Sequence, residues 1–217
     1  MKRVSVIALL SGLVLGTLLF SDMAVAQVGV QNAVLNPNLA SAEQMSALPQ
    51  ISAEQAEEIV AGRPYLNVSD FDAKLRASSF NDELRGEVLA GLFVPINLNT
   101  APDEEMQLVP GVGKRMAHEF DEYRPWQGGI VRFRREIGKY VDEDEVARLE
   151  QYVFVPMDLN SASSEDLHTI PGVGKRMVHE FEEYRPYVSM DQFRREIGKY
   201  VDENEVARLE RYFVINK

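Results

Sequence analysis

"VPGVGKRMAHEFDEYRP" at residues 109–125 returns as "IPGVGKRMVHEFEEYRP" at 170–186, with three conservative differences in 17 positions. Pro110-Gly111-Val112-Gly113 breaks helical periodicity with residues that favour a tight turn. Beyond the break, Val112, Met116, Phe120 and Tyr123 recur at spacings of four, four and three. That spacing puts them on one buried face of a helix starting near Lys114. Pro125 ends the helix, because the residue before a proline is pushed out of the helical region. The stretch reads as a glycine turn between two helices, and its return makes the chain a repeat protein.

Working outward, Asn38, Asn99 and Asn160 are each 61 residues apart, as are Arg63-Pro64, Arg124-Pro125 and Arg185-Pro186. "FRREIGKYVDEDEVARLEQY" at 133–152 returns as "FRREIGKYVDENEVARLERY" at 193–212, at an offset of 60. Three units follow, 35–95, 96–156 and 157–217, the first of them divergent. Each is expected to hold four short helices. Thr100 or Ser161 is expected to cap the first. The third covers about 131–137 and is expected to end at Gly138 as a left-handed cap. Asp142 caps the fourth, with Glu145 completing a capping box. Val146, Leu149, Tyr152 and Val153 form its inner stripe, and "VFVP" at 153–156 is an extended link. Strand-like runs are too short for a sheet. The expected fold class is all-α, tandem helix-hairpin-helix repeats after a signal peptide.

Lys2 and Arg3, the apolar run from Val4 to Phe20, and Ala24-Val25-Ala26 have the form of a cleaved signal peptide over 1–26, with a linker over 27–34. The expected location is exported, periplasmic or extracellular, with no membrane attachment after cleavage; an uncleaved membrane anchor is the alternative. The absence of Cys excludes disulfides and thiolate metal sites. Without residues 1–26 the formal charge is −12, and the three units carry −5, −4 and −3. Such a balance disfavours nonspecific attraction to DNA or anionic lipid, so any nucleic-acid contact must come from local clustering.

"INLNTAPDEEMQLVPGVGKRMAHEFDEYRP" and "MDLNSASSEDLHTIPGVGKRMVHEFEEYRP" resemble the ComEA-type helix-hairpin-helix domain, whose pattern runs roughly "LNxNTAsxeeLxxLPGIGxxxAxxIxxYR". The likeness covers units two and three and, weakly, unit one. It implies an exported protein that binds double-stranded DNA weakly and without sequence preference, as in DNA uptake during competence. The same domain looks to be used without DNA in a lumenal photosystem II subunit. An envelope structural or protein-interaction module that has lost DNA binding, with protein partners there, is therefore the alternative.

The chemistry of the hairpin is that of a phosphate cradle. Gly111 and Gly113, with Gly172 and Gly174, let a phosphate approach the backbone, and the following helix N-terminus carries partial positive charge. Val112 and Val173 are expected to point inward and pin the turn. Lys114-Arg115 and Lys175-Arg176 stand in a first helical turn, a placement unfavourable by about 0.3–1 kcal/mol per charge. Either a phosphate removes that conflict, or the side chains swing into solvent. Unit one reads "PQISAE" at 49–54, where Ser52 caps an ordinary helix, and is expected not to bind phosphate. Arg134, Arg135 and Lys139, with Arg194, Arg195 and Lys199, are either a second phosphate contact or a solvated face paired with neighbouring acids.

No catalytic constellation is found. Glu122 and Glu183 stand where a zinc-binding HExxH helix would need its second His, and the acidic run at 142–145 lacks the glycine and spacing of a calcium loop. No enzyme activity, cofactor or metal is expected. Trp126 and Tyr187 read as core residues rather than base-stacking platforms.

Overall fold

The structure is a computed structural model describing residues 34–216 apart from Ser79. The signal-peptide reading, with all of the linker but its last residue, lies outside the described residues. Unit one folds as α1 (Ala42–Ser46), α2 (Ala53–Ala61), α3 (Val68–Ala77) and α4 (Asp82–Gly91). Ile96–Asn97 (β1) then leads into α5 (Asp103–Met106), α6 (Lys114–Glu122), α7 (Gly129–Ile137) and α8 (Glu143–Leu149). Val153–Phe154 (β2) and Met157–Asp158 (β3) precede α9 (Ser164–His168), α10 (Lys175–Glu183), α11 (Met190–Ile197) and α12 (Glu203–Glu210), and Phe213–Val214 (β4) follows. The chain is all-α, as its periodicity requires.

Short helices such as these are marginal alone, and two devices close each group of four. The first uses the recurrent Asn and Arg-Pro. Asn99 Oδ1 accepts from the Trp126 backbone N–H at 2.7 Å, as Asn38 does from Tyr65 at 2.8 Å and Asn160 from Tyr187 at 2.7 Å. Arg124 then donates Nε to the Leu98 carbonyl at 2.6 Å and Nη2 to the Ala101 carbonyl at 2.5 Å. Arg63 and Arg185 make the same pair of bonds, to Pro37 and Ala40 and to Leu159 and Ala162. The three Arg-Pro peptide bonds are cis.

The second device is a correction to the extended link. It pairs in parallel with the opening of its own unit, β1 with β2 (Ile96 with Val153) and β3 with β4 (Met157 with Phe213). In unit one a single parallel bridge joins Leu35 and Leu92. Runs of two residues suffice because the helices between them already bring the ends together.

Three local expectations also change. Thr100 and Ser161 do not cap: the N–H groups of residues 100 and 101 turn back to the Asn97 carbonyl, and those of 161 and 162 to the Asp158 carbonyl. The helices therefore start later, after Pro102 and Ser163. Gly138 is right-handed at φ −59°, and its lack of a side chain matters because a Cβ would lie 2.7 Å from the Arg134 carbonyl oxygen. Asp142 caps α8, but the Glu145 carboxylate turns to Arg148 instead of completing a box.

Trp126 and Tyr187 are buried, and Trp126 Nε1 donates to the Phe120 carbonyl at 2.9 Å. Units one and two share one continuous core, bridged by the Tyr152 hydroxyl on the Ala90 carbonyl; unit three has its own. Trp126, the sole tryptophan, reports on the first core. Asn99→Ala strands a buried N–H and is expected to cost about 1–3 kcal/mol, seen as a lower urea midpoint in Trp126 fluorescence. Asn160→Ala is expected to lower the helical circular-dichroism transition and leave the Trp126 midpoint largely in place.

Candidate nucleic-acid interface

The hairpin between α5 and α6 is fixed by the Val112 N–H on the Val109 carbonyl at 2.9 Å and by burial of the Val112 side chain. Its twin between α9 and α10 has the Val173 N–H on the Ile170 carbonyl at 3.1 Å, with Val173 buried. Gly111 and Gly172 sit at φ +81° and +79°, a region that costs any other residue about 1–2 kcal/mol. Gly113 and Gly174 are different. Their φ values, −91° and −95°, suit any residue, and nothing lies within 4 Å of an added Cβ.

Glycine at 113 and 174 is thus not a demand of the fold. It leaves α6 and α10 without a side-chain cap, so their first-turn N–H groups lack a side-chain acceptor. Unit one places Ser52 at the equivalent position, where its hydroxyl accepts from the Gln55 N–H and Gln55 returns the bond.

Lys114, Arg115, Lys175 and Arg176 are exposed. The described residues include 20 lysines and arginines, and 16 of them have a recorded hydrogen bond or ion pair. These four are the ones that do not. The secondary candidates are all engaged. Arg134 forks onto Glu150 at 2.6 and 2.8 Å, and Arg194 reaches Glu210 and Asp191. Arg135 and Lys139 share Glu136, and Arg195 and Lys199 share Glu196. His118 and His179 are exposed beside Glu122 and Glu183, at 3.7 and 3.5 Å.

The two hairpins have different surroundings. Behind the first, Arg148 Nη2 donates to the Pro110 carbonyl at 2.7 Å while Glu145 grips the same guanidinium. Arg148 holds the Glu145 carboxyl below its ordinary range, against the opposing effect of burial. Gly111–Gly113 also border a groove of about 320 Å³ shared with Asp72, Asp82 and Arg85 of unit one. Behind the second hairpin, Leu39 of unit one comes within 3.1 Å of where a Gly172 Cβ would stand. Sequence reasoning missed the Arg148 brace and the Leu39 contact. The brace had a signal, since "VARLE" recurs in both near-identical units; the Leu39 contact had none, because it joins units with different sequences.

Among the described residues no cluster of three or more His, Cys, Asp or Glu is placed to hold a metal ion, and no helix is long and apolar enough to cross a membrane. A family model for the type II secretion system (T2SS) protein K matches residues 35–93, which is unit one. No curated protein and no solved structure matches the chain.

Gly111→Ala is expected to lower stability by about 1–2 kcal/mol, whereas Gly113→Ser gains a few tenths of a kcal/mol from a new cap; urea denaturation of the full chain separates the two. Because Glu145 is held below its unfolded value, its contribution is complete above the ordinary range near 4.5 and is lost as pH falls through the depressed folded value. Glu145→Gln is expected to lower the melting temperature at pH 7 and to shrink its fall between pH 7 and pH 3 relative to the parent.

Proposed function

We propose that this chain is an exported, non-catalytic protein that binds the backbone of duplex DNA weakly and without sequence preference, through Gly111–Arg115 and Gly172–Arg176. The observation that carries the reading is the set of four unpartnered cations, in a chain whose other described lysines and arginines are all engaged. They stand beside two uncapped helix starts that the fold does not oblige to be glycine. An uncapped helix start with exposed cations in its first turn suits a phosphate. Hairpins of this kind touch backbone and not base edges, so sequence preference is not expected. Two weak contacts joined in one chain add through effective concentration.

Part of the acidic charge is offset by pairing, as Glu145, Asp121 and Glu150 face the internal cations Arg148, Arg124 and Arg134, and the hairpin cations must act against the remainder. A second reading has one specific support. Unit one has no glycine hairpin, has the most negative charge of the three, and matches the secretion-system protein K model. In that reading unit one docks on a protein partner in the cell envelope, whether or not DNA is bound by the others.

Fluorescence anisotropy of a labelled random-sequence duplex, titrated with the full chain at several salt concentrations, tests the proposal. Four phosphate-facing cations predict a log–log salt slope of about −3 to −4. Changing Lys114, Arg115, Lys175 and Arg176 to Glu is expected to abolish binding, and changing one pair to halve the slope. Gly113→Ser with Gly174→Ser is expected to weaken binding while leaving the protein at least as stable. No binding by the parent at low salt rejects the DNA reading in favour of the protein-docking one.

A further inference from the structure

The three units meet around a group of buried polar atoms that the fold leaves unsatisfied. Arg208 Nη1, Arg211 Nη1 and Tyr212 Oη are sealed from solvent and have no hydrogen-bond partner. The other buried side-chain atoms in that condition among the described residues are carboxylate oxygens, of Glu119 and Glu180. Every unsatisfied buried donor thus belongs to one short stretch at the end of α12. Positions 208, 211 and 212 are spaced to share a helix face. Arg208 is 1 % exposed and Tyr212 3 %. The Arg211 guanidinium donates Nη2 to the Pro95 carbonyl at 2.7 Å and lies over the Phe154 ring, 5.4 Å from its centre. The cluster therefore touches the end of unit one and the end of unit two.

Unit two supplies an internal control. Its equivalents are Arg148, Gln151 and Tyr152. Arg148 reaches the Pro110 carbonyl, Gln151 Oε1 accepts from the Val34 N–H at 3.1 Å, and the Tyr152 hydroxyl donates to the Ala90 carbonyl. All three find partners there, and the middle residue is neutral. In unit three an arginine replaces that glutamine. Arg208 has Glu205 at 2.7 Å, but Arg211 has no ion-pair partner among the described residues. Burial pushes the Arg211 guanidinium below its ordinary pKa, and burial pushes the Glu105 carboxyl on the same side up. Glu105 offsets the Arg211 charge only from beyond ion-pair distance, so burial remains the larger effect on both groups, and the unsatisfied donors add to the cost.

We propose that a small inorganic anion of the phosphate, sulfate or chloride kind binds among Arg208 Nη1, Arg211 Nη1 and Tyr212 Oη and ties unit three to units one and two. The anion supplies the acceptor each donor lacks and neutralises the extra guanidinium. This site is separate from the hairpins, and it does not rest on the DNA reading.

The test is thermal unfolding of the full chain, followed by circular dichroism, in rising sodium phosphate, sulfate or chloride. Ionic strength is held constant with a bulky organic sulfonate. A melting temperature that rises by a few degrees and saturates in the millimolar range supports the site, and the anion with the largest effect fixes its type. Arg211→Gln restores the residue found in unit two and is expected to abolish the saturable rise without lowering the anion-free melting temperature. Tyr212→Phe keeps the ring and is expected to weaken anion binding about fivefold, the worth of one hydrogen bond, in calorimetric titration with inorganic phosphate. A rise that is linear in salt and equal in the parent and Arg211→Gln is the general effect of excluded salts, and it overturns the proposal, as does no rise at all. The same chain can fail here and bind DNA, or the reverse.

Discussion

Everything in this chain depends on a clamp made by one asparagine and one arginine in each unit. The asparagine holds the backbone beyond the Arg-Pro bond, and the arginine holds two carbonyls of the opening turn. Helices of four to ten residues have little stability of their own. Joining the two ends of the first helical pair lets its apolar faces meet and stay met. The parallel bridges at Leu35, Ile96 and Met157 then close the second pair on the same opening segment. The glycine hairpin lies between these two closures.

On that frame the electrostatics divide cleanly. Arginines at 134, 148 and 194 and their counterparts spend their charge inside the protein, on carboxylates and carbonyls. Lys114-Arg115 and Lys175-Arg176 do not, and they oppose the dipole of the helix that carries them. Unit one shows what the same helix start looks like when stability alone is served: Ser52 caps, Gln55 returns the bond and Glu54 complements the dipole. The contrast within a single chain separates what the fold needs from what it merely permits.

Units two and three are close copies, yet they do not have the same surroundings. Unit two shares a core with unit one and satisfies its polar groups there. Unit three has a separate core and meets the others through Leu39, Pro95 and Phe154. Where unit two has the neutral Gln151, unit three has Arg211, a cation that reaches the Pro95 carbonyl through Nη2 and leaves Nη1 buried without a partner.

The sequence by itself determined the all-α class, the helix–turn–helix order, the inward valines and the buried Trp126 and Tyr187, because these follow from local periodicity and from turn residues. The candidate residues at 111–115 and 172–176 were legible for the same reason. Helix starts after 102 and 163 were not, since residues 100 and 101, and 161 and 162, first form a turn of their own onto the Asn97 and Asp158 carbonyls. The pairing of residues 153 and 154 with 96 and 97 was also hidden, because two-residue strands have no periodicity to read. Only the tertiary structure decided which cations were spent and which were free. Ion pairs such as Arg134 with Glu150, 16 residues apart, depend on how α7 and α8 pack. The same holds for the junction at Arg211: whether a buried charge finds a partner is a property of three units in contact, and no single stretch of sequence records it.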